Sequence, residues 1–309
     1  MNDYLSLILG IGCAAVGGEL FVRGAVGLGH WARISPGIIG ATIAAFATSS
    51  PELSVAINSA IAGKPQISLG DALGSNVVNV ALILGLALTI SRMRSSRKST
   101  QRNFRMALLV PIITGLLFLD GLLSRFDGIV MLILFVGWFV ATVAEAKKQR
   151  QISEKTAETQ RGLKTILECV FGLAFLVIAG SLIVSGAKGI AITFGISEFI
   201  IGATIVAVGT SMPELATTVV SKLRGHDEIG LGTILGSNIF NGLFIISVAA
   251  IIYPITVNRR DIAVALVFGL FTILFTFPTR GNVIPRSRSV WLLALYAAYL
   301  GAVVLIQAS

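Results

Sequence analysis

Long apolar runs alternate with short polar breaks along the whole chain. Ten apolar segments can be drawn, at 4–29, 36–62, 66–91, 106–122, 126–146, 164–193, 197–221, 228–254, 261–279 and 289–307. Many reach the roughly 20 residues a helix needs to cross a hydrocarbon core. Helices satisfy their own backbone groups in lipid, and the sequence lacks the short alternating strands of a membrane barrel. The pattern predicts an all-α integral membrane protein with ten transmembrane helices. The opening "MNDYLSLILGIGCAAVGG" has no basic leader and runs straight on into helix, so it reads as a first span rather than a cleaved signal.

The two longest polar breaks are "SRMRSSRKSTQRNFR", 91–105, and "EAKKQRQISEKTAETQRGLK", 145–164. The second falls at the midpoint and reads as a linker. The expected division is a first five-helix unit at 1–146, a linker at 147–163 and a second five-helix unit at 164–309.

The two units repeat each other. Residues 34–53 read "ISPGIIGATIAAFATSSPEL" and residues 196–215 read "ISEFIIGATIVAVGTSMPEL", with 14 of 20 positions identical. The same offset relates "LGSNVVN", 73–79, to "LGSNIFN", 235–241. With five spans per unit, an odd number, the second unit enters the membrane from the opposite side. Inverted repeats of this kind are the architecture of secondary transporters, whose sites lie at mid-membrane where matching helices are broken.

Composition sharpens this reading. Hydrophobic residues make up 55% of the chain and charged residues 13%, about half the share of a soluble protein. The net charge of +9 does not point to nucleic acid, because the basic residues sit in loops. Assigning loops alternately to two sides puts 18 basic residues on one side and 4 on the other. The positive-inside rule then makes the linker cytoplasmic and puts both termini outside a cell membrane. Cys13 and Cys169 lie in apolar segments and read as small hydrophobes.

The candidate chemistry lies in the repeated motifs. Pro51 precedes Glu52, and Pro213 precedes Glu214, inside apolar segments. Proline clashes with the carbonyl four residues back, here Ala47 and Gly209, and carbonyls at such a break can turn toward a cation. Thr48, Ser49, Thr210 and Ser211 add hydroxyl oxygens. A carboxylate alone in the membrane is costly, and a cation removes the cost. Ser75 and Asn79 share a helix face, as do Ser237 and Asn241. All of these are hard oxygen donors, suited to Ca²⁺ and related ions, and no His or Cys accompanies them. One small-polar motif in a membrane helix commonly serves packing. Two, repeated at one offset with a carboxylate each, favour an ion site. Among other charges, Glu19 and Arg23 should pair at i, i+4, Glu168 and Lys188 should snorkel, and Asp71, which faces Thr233 in the repeat, is expected near the outer mouth.

These motifs resemble the two alpha-repeats of the sodium/calcium exchangers, in the cation/calcium antiporter superfamily. The carriers are "GATIAAFATSSPEL" with "ALGSNVVN", and "GATIVAVGTSMPEL" with "ILGSNIFN". The resemblance covers essentially the whole chain. It implies that Thr48, Ser49, Glu52, Thr210, Ser211 and Glu214 line adjacent Na⁺ and Ca²⁺ sites, with Ser75, Asn79, Ser237 and Asn241. It further implies carbonyl ligands from Ala45 and Ala207, and a first and sixth helix that slide to switch access. Three departures stand out: Ala47 for a usual glycine, Ser50 and Met212 for a common leucine, and Asn241 where microbial exchangers often carry aspartate. The expected function is Na⁺/Ca²⁺ antiport, with no enzyme activity and no prosthetic group, and Ca²⁺, Na⁺ and the bilayer as partners. A proton- or potassium-coupled exchanger is the alternative within the class; a ten-helix metabolite permease or an ion channel lies outside it.

Overall fold

The computed structural model describes residues 3–32, 34–95, 97–152, 162–191, 200, 202–279 and 281–308. Helix dominates, as the apolar pattern requires. The first segment is α1 (Asp3–Ala32). The second is two helices, α2 (Gly37–Thr48) and α3 (Ser50–Ile61), bent by 42°. Then come α4 (Pro65–Ile90), α5 (Arg97–Leu117), α6 (Arg125–Ile152) and α7 (Gly162–Ala191). The seventh segment is again broken, into α8 (Gly202–Thr210) and α9 (Met212–Leu223), bent by 48°. It is followed by α10 (Asp227–Ile252), α11 (Arg259–Leu274) and α12 (Arg288–Ala308). Among the described residues the segments number ten, with the breaks in the second and seventh, where the Pro-Glu pairs lie.

Some helices overrun their apolar stretches at one end. The fourth was expected from 106 but begins at Arg97. Its polar first turns find partners: Arg102 bonds the Glu145 carboxylate, and Phe104 packs on Phe277 at 4.9 Å. α6 likewise runs on to Ile152 into the expected linker, whose residues 153–161 lie outside the described set. The expected Glu19–Arg23 pair forms at 2.5 Å, and Arg224 joins the same carboxylate. Glu168 lies 3.8 Å from Lys164, and the Lys188 side chain lies outside the described set.

Two short ribbons tie the repeats together. Their strands are β1 (Met93–Arg94), β2 (Leu122–Leu123), β3 (Ile255–Thr256) and β4 (Val283–Ile284). β1 pairs antiparallel with β4, Met93 opposite Ile284, and β2 with β3, Leu123 opposite Ile255. Each ribbon thus takes one strand from each repeat. Lys222, one of the 18 basic residues on the side assigned to the cytoplasm, is drawn into the first of these junctions. Its side chain is only 4% exposed, bonds Asp227 at 2.9 Å and reaches the Arg92 carbonyl, while Asp227 accepts from the Arg94 amide at 2.7 Å.

The core is formed by α4 and α10, the helices that carry the "GSN" motifs. Of their most apolar stretches, 78% and 83% are buried, against 28% for α6 and α7 and 22% for α12. The broken helices cross onto them between repeats, α2 against α10 and α8 against α4. Glycine makes that approach possible. A Cβ on Gly74 would stand 2.4 Å from the Ala203 carbonyl oxygen, and one on Gly236 would stand 2.6 Å from that of Ala41. Backbone meets backbone at these two points, with no flexible side chain to yield.

Gly74→Ala should therefore destabilise the protein by about 1–3 kcal/mol, the usual cost of overpacking. Gly137→Ala, where a Cβ meets nothing within 4 Å, should not. Thermal unfolding in detergent tests this, and equal midpoints for the two variants would refute the packing account.

Candidate functional site

The proline of each motif begins a helix rather than merely breaking one. The chain leaves helical geometry at Ser49 (φ −83°, ψ 11°) and at Ser211 (φ −80°, ψ 6°). Helix resumes at the next residue, so Pro51 and Pro213 fall in the first turn of α3 and α9. A missing N–H is harmless there, because first-turn amides have no partner within the helix. Glu52 and Glu214 follow in the same first turn, at the positive end of the half-helix dipole. Proline and glutamate thus act together: one starts a half-helix at mid-span, and the other occupies its electropositive end.

The two breaks face each other. Glu52 and Glu214 are both fully buried, and each meets hydroxyls of the opposite repeat. Ser49 donates to Glu214 Oε1 at 3.2 Å, and Ser211 donates to Glu52 Oε1 at 3.5 Å. Ser237 also donates to Glu214 Oε1, at 3.1 Å. Beside them lie two matched hydroxyl pairs, Thr48 with Ser237 at 3.5 Å and Thr210 with Ser75 at 3.4 Å. The Ala45 carbonyl lies 3.4 Å from Thr48 Oγ1, and the Ala207 carbonyl lies 3.4 Å from Thr210 Oγ1 and 3.3 Å from Ser75 Oγ. Among the expected residues, Glu214, Ser49, Ser237, Thr48 and Ala45 thus form one bonded group and Glu52, Ser211, Ala207, Thr210 and Ser75 a second, one around each glutamate.

Asn79 and Asn241 are buried one turn deeper. Asn79 Nδ2 donates to Asn238 Oδ1 at 3.1 Å, leaving its own Oδ1 without a partner. Neither polar atom of the Asn241 side chain has one. Glu52 Oε2 and Glu214 Oε2 are also buried and unpaired. Buried polar atoms are ordinarily hydrogen-bonded, so this cluster of orphan oxygens calls for a positive partner. Among the described residues no basic side chain is paired with Glu52 or Glu214. The donor set of carboxylates, hydroxyls, amide oxygen and carbonyls suits a hard cation.

Three features escaped the sequence reading. Asp71 is not at an outer mouth; it is 1% exposed, and its Oδ1 accepts from Thr210 at 2.9 Å. It stands four residues before Ser75, on the same helix face, which was the available signal. Asn76 and Asn238, the shared third residues of the "GSN" motifs, clasp the repeats: each side-chain amide donates to the other's backbone carbonyl, at 3.2 and 3.0 Å. Finally, wide π-helical turns occur at Gly40–Ala44, Val78–Leu84, Gly202–Val206 and Phe240–Ile245. Such turns shift side chains around the helix axis and recur at functional sites. Residue spacing gives no sign of them.

A family model described as "Sodium/calcium exchanger protein" matches residues 3–144 and 165–305. Over 243 residues the chain is 37% identical to the putative antiporter CaxA of Alkalimonas amylolytica, covering 76% of each. Over 283 residues it is 34% identical to the inner membrane protein YrbG of Escherichia coli strain K12, covering 85% of this chain and 87% of that one. Among solved structures it is similar to the sodium-calcium exchanger NCX_Mj soaked with 100 mM Na⁺ and 10 mM Sr²⁺. The TM-score is 0.81, with 29% identity over 97% of each chain.

Removing either charge of the facing pair should weaken cation binding. Glu52→Gln and Glu214→Gln keep the size and one acceptor oxygen but lose the charge. Each should raise the Ca²⁺ concentration for half-maximal thermal stabilisation by about 10- to 100-fold or more, the cost typical of a lost supporting group at a metal site. A wild-type Ca²⁺ titration in either variant would remove that glutamate from the site.

Proposed function

The chain belongs to the sodium/calcium exchanger family, and from that premise we propose that it exchanges Na⁺ for Ca²⁺ across the cell membrane by alternating access. As a member of that family it is a membrane-embedded cation antiporter and not an enzyme. The observation that carries the sodium/calcium reading is the facing pair of fully buried carboxylates, each with one oxygen held by the opposite repeat and one left free.

The geometry supports an exchange mechanism. A Ca²⁺ ion leaving water needs six to eight oxygens at its surface. Glu52, Glu214 and the hydroxyls of Thr48, Ser49, Thr210, Ser211, Ser75 and Ser237 offer them, with Asn79 Oδ1, Asn241 Oδ1 and the Ala45 and Ala207 carbonyls around them. Na⁺ uses the same class of ligand, so the two ions compete for one set of oxygens. An empty site would carry unpaired carboxylates through a low-dielectric interior, at a cost of several kcal/mol. The protein therefore changes access when loaded and stalls when empty. That constraint converts two separate binding equilibria into obligatory exchange. A channel, which conducts without such a step, has no use for it.

Orientation follows from charge. The excess of basic residues in alternate loops supports a cytoplasmic linker and outward termini. The physiological membrane would be the cell membrane, with Na⁺ entering and Ca²⁺ leaving.

Three outcomes are expected. In proteoliposomes given an outward Na⁺, K⁺ or H⁺ gradient in turn, ⁴⁵Ca uptake should follow the Na⁺ gradient alone; uptake driven by K⁺ or H⁺ instead would overturn the sodium reading. Net charge should move, so a K⁺-diffusion potential should drive or oppose uptake by about 2.3 kcal/mol per 100 mV for each charge. In intact cells a cysteine introduced by Glu154→Cys should resist impermeant thiol reagents, whereas one introduced by Asn258→Cys should react; the reverse would invert the topology.

A further inference from the structure

The fourth and ninth segments, one from each repeat, lie against each other and are closed unequally at their two ends. Their helices, α5 and α11, begin at repeat-related arginines, Arg97 and Arg259. At the end where Arg102 meets Glu145 the crevice between them is filled. Phe277 packs there on Phe104, with ring centroids 4.9 Å apart, and Arg288 donates to the carbonyls of Phe275 and Phe277. At the offset that relates Arg97 to Arg259, the residue corresponding to Phe277 is Gly115. It brings no side chain to the other end. A recess of about 430 Å³ remains there, lined by Pro111, Gly115 and Leu116 from α5 and by Arg259, Ile262 and Leu266 from α11.

We propose that this recess binds one anionic phospholipid, with an acyl chain laid between α5 and α11 and the phosphate on the Arg259 guanidinium. The site lies in the leaflet at the β2–β3 end, which is the outer one in the orientation proposed above. It stands independently of the exchange function.

Acyl chains wet every lipid-facing surface, so a site needs a recess and a headgroup contact together. Both are present. The recess is apolar along its length and charged at its rim, and its volume is that of a ligand pocket. Leu116 and Val267, 62% and 48% exposed, flank its opening. The rim charge is free for a ligand. Arg259 is exposed, and its Nε would stand 3.5 Å from a Cβ built on Gly121, so the guanidinium lies over the turn that follows α5. The carboxylates of that loop are held by neutral donors. Asp120 accepts from the Leu122 amide at 3.0 Å, and Asp127 accepts from the Ser124 amide and hydroxyl at 2.8 and 2.6 Å. Among the described residues no carboxylate is paired with Arg259. A guanidinium matches a phosphate in charge and in the geometry of its N–H donors. Arg260, also exposed, follows it, so the rim favours an anionic headgroup over a zwitterionic one. A phospholipid supplies the apolar chain and the anion in one molecule, already aligned by the bilayer.

The test is native mass spectrometry of the purified full-length protein, titrated in detergent with dioleoylphosphatidylglycerol or dioleoylphosphatidylcholine. The wild type should retain one phosphatidylglycerol and, at the same concentration, no phosphatidylcholine. Gly115→Phe fills the recess with the ring the second repeat already uses, and its Cβ would stand 3.5 Å from Leu266 Cδ1, an ordinary contact. It should lose the lipid and keep the wild-type melting temperature. Arg259→Gln should raise the lipid concentration for half occupancy about 5-fold, the effect of one basic residue at an anionic lipid surface. Arg125→Gln removes a charge from the same end outside the recess and should change nothing. If Gly115→Phe fails to fold, Ala263→Phe fills the recess from its exposed rim. A lipid retained by a folded, recess-filling variant overturns the proposal. So does equal retention of the two lipids, or a loss in Arg125→Gln equal to that in Arg259→Gln, which would mean general attraction. A dimer that disappears on filling the recess assigns the face to a second copy of the chain and overturns it as well.

Discussion

Carboxylates buried without a protein counter-charge are the constraint that organises this molecule. Glu52 and Glu214 lie at the centre of a helical bundle, and no basic side chain among the described residues is paired with them. Membrane interiors do not forgive this, so the surrounding structure is arranged to make it tolerable. Each glutamate is placed at the start of a half-helix, where the peptide dipoles favour negative charge. A proline beside it permits that helix to start in mid-span. A serine of the other repeat donates to one oxygen. The other oxygen has no partner in the protein and, on the proposed function, is where an ion joins. Remove the carboxylates and neither the broken helices nor the hydroxyls around them would have a purpose.

The same constraint explains the packing. Each glutamate takes a hydroxyl donor from the other repeat, and the broken helices cross onto the opposite repeat's core helix. Gly74 and Gly236 let backbones touch at those crossings, and Asn76 with Asn238 join the two core helices by a reciprocal pair of bonds. The ribbons β1–β4 and β2–β3 repeat the pattern at the periphery, each built from one strand of each half. Neither half could complete its own site, which is why the chain needs two copies of one motif.

Much of this was legible in the sequence, for definite reasons. Apolar length reports directly on membrane crossing, and so most of the segments came out within a few residues of their observed bounds, the fourth, at Arg97–Leu117, being the largest departure. Duplication made Pro51–Glu52 and Pro213–Glu214 conspicuous, and the ligand types around them are chemically uniform. What stayed hidden depends on three dimensions. The pairing of Ser49 with Glu214 joins residues far apart in sequence but opposite in space, and nothing local announces it. The π-helical turns lie within α2, α4, α8 and α10, where no residue type marks them. Lys222 read as a loop charge because sequence position alone does not show that Asp227 and the Arg92 carbonyl enclose it. Asp71 was misplaced for a different reason: the repeat was used to find the site, and Asp71 is where the repeat fails.

Those failures of symmetry carry information. In an inverted repeat, inward- and outward-open arrangements are built from equivalent contacts, so a perfectly symmetric chain would weight them equally. This chain is symmetric at the carboxylates, the hydroxyls, the core glycines and the clasping asparagines, and asymmetric at other positions. The tip of α9 is held by two ion pairs, Lys222 with Asp227 and Arg224 with Glu19, whereas the matching tip of α3 has Ala60 and Ala62. Asp71 places a carboxyl group against one hydroxyl pair, whereas the matching Thr233 turns back to its own helix. Gradients, not side chains, set the direction in which an exchanger runs. Side chains set how its states are populated, since an equilibrium shifts only by the difference in free energy between them. On the proposed function, the shared motifs therefore define what is exchanged, and the residues that depart from the repeat set how the two access states of this chain differ.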